Sequence, residues 1–168
     1  CRAGFSEVAT HFKVNYNAVG SGQGKKDLAA GTTDWAGSDS TVSEADKSSF
    51  KGTFLYFPTV ASPITVSYNL SSVKTLKLSP STLTKIFMGT ITNWDDTAIA
   101  SDNPGVELPD RRITVAVRSD GSGTTSNFSK YLAAAAPSDF TVTAGDTVTW
   151  PSAQAGKGNA GVAQIIKD

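Results

Sequence analysis

The sequence predicts an α/β fold with a largely parallel sheet. Two observations carry the prediction. Short apolar runs that read as strands alternate with helix-patterned segments along the chain, the order that builds parallel sheets with covering helices. Two Gly-Ser-Gly corners, Gly20-Ser21-Gly22 and Gly121-Ser122-Gly123, each sit between a segment that reads as a strand and one that reads as a helix.

Taken in order, Phe5, Val8, Ala9 and Phe12 recur at helical spacing and predict a helix over residues 3–13. Val14 to Val19 alternates and reads as a strand. After the first Gly-rich corner, Lys25 to Ala30 reads as a short helix ending at Gly31. Asp34 to Asp39 reads as a short strand running into a turn, and the polar residues 43–49 as a surface helix or loop. Phe54 to Tyr68 is apolar, interrupted by Pro58 and Pro63, and reads as extended chain crossing between structural units. Ser79-Pro80 opens a helix with Leu83, Ile86 and Phe87 inward and Gly89 at its end. A further short helix is expected from Asn93 through Ile99, then turns at Asn103-Pro104-Gly105 and Leu108-Pro109-Asp110. Ile113 to Val117 reads as a buried strand, and Ser126 to Ala136, stopped by Pro137, as a helix. Residues 140–150 read as strand or extended chain, and a last helix begins at Gly161.

The chain has 168 residues, 39% of them hydrophobic, enough for one domain or two small lobes. Fifteen basic residues balance 15 acidic ones, so the basic excess of an electrostatic nucleic-acid binder is lacking. No apolar run approaches the ~20 residues that span a bilayer. Cys1 is the only cysteine, so no disulfide can form within the chain. Two readings of Cys1 stand: the lipid-bearing residue of a processed bacterial lipoprotein, or a residue that happens to come first. Asn69-Leu70-Ser71 and Asn127-Phe128-Ser129 match the N-glycosylation pattern, which matters only in a eukaryotic secretory context.

The segment Arg118-Ser119-Asp120-Gly121-Ser122-Gly123-Thr124-Thr125 carries the most chemistry. It joins a strand to a helix start and offers a guanidinium, hydroxyls and small residues that leave backbone N–H groups open. That combination is the chemistry of an oxyanion site at a helix N-terminus. Gly20-Ser21-Gly22 repeats the theme, so two corners could approach one anion from two sides. On the bland reading, Ser21 and Ser122 cap helices and do nothing more.

Other site types fit poorly. A Walker loop ending at Gly24-Lys25 would need Gly at position 19 and Ser or Thr at 26, where the chain has Val19 and Lys26. Gly156-Lys157-Gly158-Asn159-Ala160-Gly161 matches G-x-G-x-x-G, but no clear buried strand precedes it, so it reads as a close-packed turn into a helix. His11 is the single histidine and falls on a surface helix. Asp95 and Asp96 read as capping charges at a helix start rather than metal ligands. No metal, cofactor or nucleophile–base pair is expected, and an enzyme is not favoured.

At this point the chain resembles the phosphate-specific binding proteins that feed bacterial ABC transporters, the PstS type. The resemblance runs nearly end to end. It is carried by Val14-Asn15-Tyr16 leading to Gly20-Ser21-Gly22, by Ser38-Asp39, and by Phe57-Pro58-Thr59-Val60. It continues through Ile86-Phe87-Met88-Gly89, Asn93-Trp94-Asp95-Asp96, Asn103-Pro104-Gly105 and Leu108-Pro109. Arg118 to Thr124, Trp150-Pro151 and Gly156-Lys157-Gly158-Asn159 complete it.

The resemblance implies two α/β lobes of the type 2 periplasmic binding protein fold, with an anion in the cleft between them. Residues 1–57 would form part of the first lobe, 58–66 the crossover, and 67–168 most of the second lobe. The implied phosphate ligands are Ser21, Asp39, Arg118, Ser122, Gly123 and Thr124, with Asp120 orienting Arg118 from behind. An ABC-transporter permease, a monomeric state and a periplasmic, secreted or cell-surface location follow from the same likeness. The family pattern also has an N-terminal Gly-Ala-Gly-x-Thr-Phe loop and more than a hundred further C-terminal residues, so the fold is expected to be incomplete at both ends.

Within that picture Asp39 is the selective element. A carboxylate facing an anion repels it unless the anion has a proton to donate, which phosphate has near neutral pH and sulfate lacks. A buried carboxylate left unpaired against sulfate would give discrimination on the order of 10⁴. A simple turn cap is the competing role for Asp39. Two other functions stand beside phosphate binding: a structural or surface-interaction module with a partial or lost pocket, and a phosphoryl-handling enzyme with Asp39 or Asp120 as its only available base.

Overall fold

A computed structural model describes residues 13–168. The helix expected over residues 3–13, His11 with it, and Cys1 therefore fall outside the described residues, apart from Lys13. The described elements are α1 (Ser21–Ala30), α2 (Glu44–Lys47), α3 (Pro80–Phe87), α4 (Thr97–Asp102), β1 (Ala116–Arg118), α5 (Gly123–Ala135), β2 (Gln154–Gly156) and α6 (Gly158–Lys167).

The sheet among the described residues is two parallel strands, β1 and β2, with Val117 opposite Ala155. Ladder pairing begins at Ala116, three residues later than the apolar run suggests. Before it, Ile113 donates its N–H to Thr92 O at 2.8 Å and Val115 O accepts from Gln154 N at 2.8 Å, so the run is tied down without a regular ladder. The strands expected at Val14–Val19, Asp34–Asp39 and 140–150 do not form, because no partner strand lies beside them among the described residues. Residues 52–69 carry neither helix nor ladder, and Leu55, Tyr56, Phe57, Val60, Ile64 and Val66 are exposed.

Three helices start earlier than expected, α6 among them at Gly158 rather than Gly161. α1 begins at Ser21 rather than Lys25, with Gly20 in extended backbone as its N-cap. Gly22 and Gly24 argue locally for a loop, since an interior helical Gly costs ~1 kcal/mol relative to Ala, but tertiary contacts override them. α5 begins at Gly123, directly after its cap Ser122, whose side chain accepts from Thr125 N. One starts later: Asp96 caps α4 by accepting from Ala98 N at 2.8 Å, while Asp95 bonds to the Asn93 side chain instead.

Local signals place α3 well. Ser79 caps it, Pro80 occupies the first turn, and Gly89 follows the C-cap at φ +70°, the left-handed region that glycine tolerates. Ile86 packs in the core with Ile91, Ile99 and Ile113, while Leu83 and Phe87, expected inward, are half-buried and line an open cleft instead. Phe87 and Phe128 meet edge to face at 4.8 Å between ring centroids, with Trp150 5.3 Å from Phe87, which joins α3 to α5.

A short strand, β2, does precede the G-x-G-x-x-G segment, contrary to expectation. The segment is nevertheless a close-packed turn. A Cβ on Gly156 would stand 2.6 Å from Gly161 O and 2.7 Å from Val162 N, so only glycine lets α6 pack against the strand.

Candidate functional site

Four short stretches converge: the start of α1, the turn at residues 37–40, the loop after β1, and the start of α5. The two Gly-Ser-Gly corners touch through backbone alone, Gly22 N donating to Gly121 O at 3.0 Å. A Cβ on Gly22 would lie 2.8 Å from Gly121 Cα, so the approach requires glycine there. A Cβ on Gly123 would lie 2.7 Å from Ser21 Oγ, 2.8 Å from Ser40 N and 2.9 Å from Asp39 Cβ. Ser21, Asp39 and Gly123 therefore form one contact group.

The hydroxyls are arranged to donate. Ser21 Oγ accepts from Asp39 N at 3.2 Å, and Ser122 Oγ accepts from Thr125 N and from Arg118 Nη1, each at 3.3 Å. Each keeps its own O–H proton for another acceptor. Ser21 and Ser122 are both buried. α1 has no side-chain cap, and the Gly123 and Thr124 amides have no acceptor among the described residues. Unsatisfied first-turn amides at two helix starts concentrate positive potential in one place.

Arg118 is held from several sides. Nε donates to Asp120 Oδ1 at 2.8 Å, Nη2 donates to Asp120 Oδ2, and Nη1 donates to Asn159 Oδ1 at 2.8 Å. The hydrogen bond to Asp120 raises the Arg118 pKa above its ordinary value. The same bond, with Gly158 N donating to Asp120 Oδ1 at 2.9 Å, holds the Asp120 carboxyl well below the usual carboxylate range. Of the five guanidinium N–H groups, one on Nη2 is left over. A two-pronged grip on an anion therefore requires Asn159 or Ser122 to yield.

Asp39 differs from expectation in one respect: it is exposed rather than buried. Its side chain does not cap its own turn. It reaches across to α5, where Thr124 Oγ1 donates to Oδ2 at 3.3 Å, and Asn127 Nδ2 donates to its backbone O at 2.7 Å.

Four polar residues escaped the sequence reading of the site: Lys25, Asn127, Asp146 and Asn159. Lys25 Nζ lies 2.6 Å from Asp146 Oδ2, and Asp146 O accepts from Ser122 N at 2.9 Å. Asn159 lies within the Gly156-Lys157-Gly158-Asn159 motif of the resemblance; Lys25 and Asn127 fall only in patterns that point to other roles, and Asp146 carries no local signal. The Arg118–Asp120 and Lys25–Asp146 pairs each cancel, so Asp39 is the formal charge left over among these groups.

A cleft of about 1010 Å³ opens beside the site and shares Arg118, Ser122, Thr124 and Asn159 with it. Ser21 and Asp39 do not line it, and most of its wall is apolar, including Leu78, Phe128 and Ile165. The oxyanion chemistry is thus at one rim of this cleft. Among the described residues no cluster of His, Cys, Asp and Glu could hold a metal, and no helix is long and apolar enough to cross a membrane.

Comparisons with known proteins bear on this arrangement. A family model described as a PBP superfamily domain matches residues 2–167. The phosphate-binding protein PstS of Xylella fastidiosa strain Temecula1 is 40% identical over 163 residues, covering 95% of this chain and 44% of that protein. The phosphate-binding protein PstS of Pasteurella multocida is 40% identical over 167 residues, covering 98% and 48%. The chain thus spans about half the length of these relatives. Among solved structures, a DING protein matches with a TM-score of 0.75 at 23% identity, over 96% of this chain and 49% of that one. A putative phosphate ABC transporter substrate-binding protein from Clostridium perfringens, solved with bound phosphate, matches with a TM-score of 0.64 at 17% identity, over 99% and 59%.

Proposed function

The chain belongs to the PBP superfamily, and from that premise we propose that it binds inorganic phosphate for uptake through an ABC transporter. The observation that carries the reading is the junction of the two Gly-Ser-Gly corners, which brings Ser21, Asp39, Gly123 and Thr124 into one contact group with Arg118 and Ser122 adjoining. In this reading the anion sits between the starts of α1 and α5. It accepts from the Ser21 and Ser122 hydroxyls, from the Gly123 and Thr124 N–H groups and from Arg118. Each charge-assisted bond contributes ~1.5–3 kcal/mol net. Asp39 accepts a hydrogen bond from the O–H that phosphate still carries. Asp120 orients Arg118 and fixes its charge.

The names of the relatives, phosphate-binding proteins, support the same ligand. Residues 58–66 would be the crossing between a first lobe, begun in residues 1–57, and a second formed by 67–168. A periplasmic, secreted or cell-surface monomer that hands phosphate to a permease fits this role, and no catalytic step is assigned.

Isothermal titration calorimetry of the chain with phosphate, with sulfate as the control anion, tests the reading. Saturable heat below millimolar phosphate, much weaker for sulfate, is expected. No heat at millimolar phosphate would assign the fold to a structural or surface-interaction role instead.

A further inference from the structure

We propose that Asp146, together with Lys25 and Ser40, is a clasp that holds the two Gly-Ser-Gly corners in register, a set of positioning residues for the anion site; the inference rests on the phosphate-binding reading for its purpose, though not for its geometry. Asp146 meets three of the four stretches of the site from behind. Its backbone O accepts from Ser122 N at 2.9 Å, at the cap of α5. Its Oδ1 accepts from Ser40 Oγ at 2.9 Å, next in sequence to Asp39. Its Oδ2 pairs with Lys25 Nζ at 2.6 Å, one helical turn after Ser21 on α1. Lys25 closes the ring by donating to Ser40 Oγ at 2.8 Å and to Thr41 O at 3.2 Å.

The ring is more than a surface ion pair. The Lys25 and Asp146 side chains are 15% and 23% exposed, and Ser40 is buried, so solvent screens the contact weakly. It spans 106 positions between Ser40 and Asp146. None of the three side chains belongs to the proposed ligand set. Their bonds run to the residues that carry it: a shift of Asp146 moves the Ser122 cap, a shift of Lys25 moves the α1 start, and a shift of Ser40 moves Asp39.

Two roles for Asp146 predict opposite signs. As a mere nearby charge it repels an anion, and Asp146→Asn would tighten phosphate binding. As a clasp it aligns the donors, and the same change weakens binding although a negative charge has gone.

The test combines amide exchange by NMR on the isotope-labelled chain with phosphate calorimetry, for the parent, D146N and S40A. Exchange of the Gly22 and Ser122 amides is expected to rise at least tenfold in D146N and about threefold in S40A. The Ile113 amide, bonded to Thr92 O away from the ring, is expected to change less than twofold. Phosphate Kd is expected to rise about tenfold in D146N. Unchanged Gly22 and Ser122 exchange, an equal rise at Ile113, or an unchanged or lower phosphate Kd in D146N would each overturn the clasp. If the parent itself gives no phosphate heat, the functional reading falls and the exchange measurements alone decide the clasp.

Discussion

The N–H of Gly22 donates to the carbonyl of Gly121 at 3.0 Å, joining two corners from opposite halves of the sequence without any side chain between them. Backbone-to-backbone contact at this point has a geometric consequence. The serines that neighbour the two glycines, Ser21 and Ser122, are drawn to adjoining helix starts, and Gly123 is pressed against Ser21 and the Asp39 turn. Helix-start amides and hydroxyls that would each be a weak anion contact alone are thereby concentrated.

Gly123→Ala tests that packing. The added Cβ would meet Ser21 Oγ, Ser40 N and Asp39 Cβ, all within 3 Å, and neither a backbone nitrogen nor a Cβ can swing away. The α1 start and the Asp39 turn must then move off α5. Phosphate affinity is expected to fall by more than tenfold in calorimetry. The far-UV circular dichroism spectrum stays that of the parent, since Ala is if anything a better helix former than Gly by ~1 kcal/mol. Retained affinity would place the anion elsewhere.

Asp39→Asn separates phosphate from sulfate. The parent offers a carboxylate that can accept a proton-bearing oxygen, and a hydrogen bond to a charged acceptor is worth ~1.5–3 kcal/mol. Because Asp39 is exposed, the repulsion of sulfate is screened, and discrimination near the ~10⁴ of a buried site is not expected. The phosphate-to-sulfate affinity ratio should drop by about tenfold in the variant, at ~1.4 kcal/mol per decade. An unchanged ratio removes Asp39 from the selective role.

How far these features were legible depends on the range of the interaction behind each. Ser79-Pro80 and Gly89 bounded α3 correctly because capping, proline at the first turn and left-handed glycine act within a few residues. The start of α1 is not legible locally, because Gly22 and Gly24 favour a loop there, and only the contact with Gly121 shows why small residues belong inside that helix. Ile113 to Val115 read as strand from their apolar character, but ladder pairing depends on neighbours that a run of residues does not specify. Arg118, Asp120 and Ser122 lie within one loop and could be grouped by eye. Asn159 joins them across 41 positions, and Asp146 reaches Ser40 across 106, so their partners follow only from the fold.

The pair Arg118–Asp120 predicts a pH signature. Asp120 has its carboxyl pKa lowered, chiefly by the Arg118 hydrogen bond and further by the Gly158 amide. A lowered folded-state value means that the group stabilises the fold above its ordinary value of 3.8, and that this contribution is lost as pH falls below it. Asp120→Asn is expected to melt roughly 2–6 °C below the parent at pH 7, given ~1.5–3 kcal/mol for a charged hydrogen bond partly replaced by the amide. The gap should narrow steadily as pH is lowered from 5 to 2. A gap that is constant with pH would mean that the Asp120 charge contributes nothing to stability.

Asn103 tests the scaffold apart from the site. It is 4% exposed and bridges two elements. Its Oδ1 accepts from Lys77 N at 2.7 Å, and its Nδ2 donates to Lys77 O at 2.7 Å and Ile99 O at 2.8 Å. The side chain thus serves Lys77 as a strand neighbour would, tying the approach to α3 onto the end of α4. Asn103→Ala strands these backbone groups at ~1–3 kcal/mol each where they stay buried. The melting temperature is expected to fall by about 5–12 °C, at ~2–4 °C per kcal/mol for a chain of this size. Asn103→Asp keeps the acceptor for Lys77 N but turns a carboxylate oxygen toward two carbonyls. It should be at least as damaging at pH 7 and should recover as the pH approaches 4, where protonation restores a donor. Measured below its melting point, Asn103→Ala should bind phosphate with the parent's affinity, since neither Lys77 nor Ile99 touches the corners that hold Ser21 and Ser122.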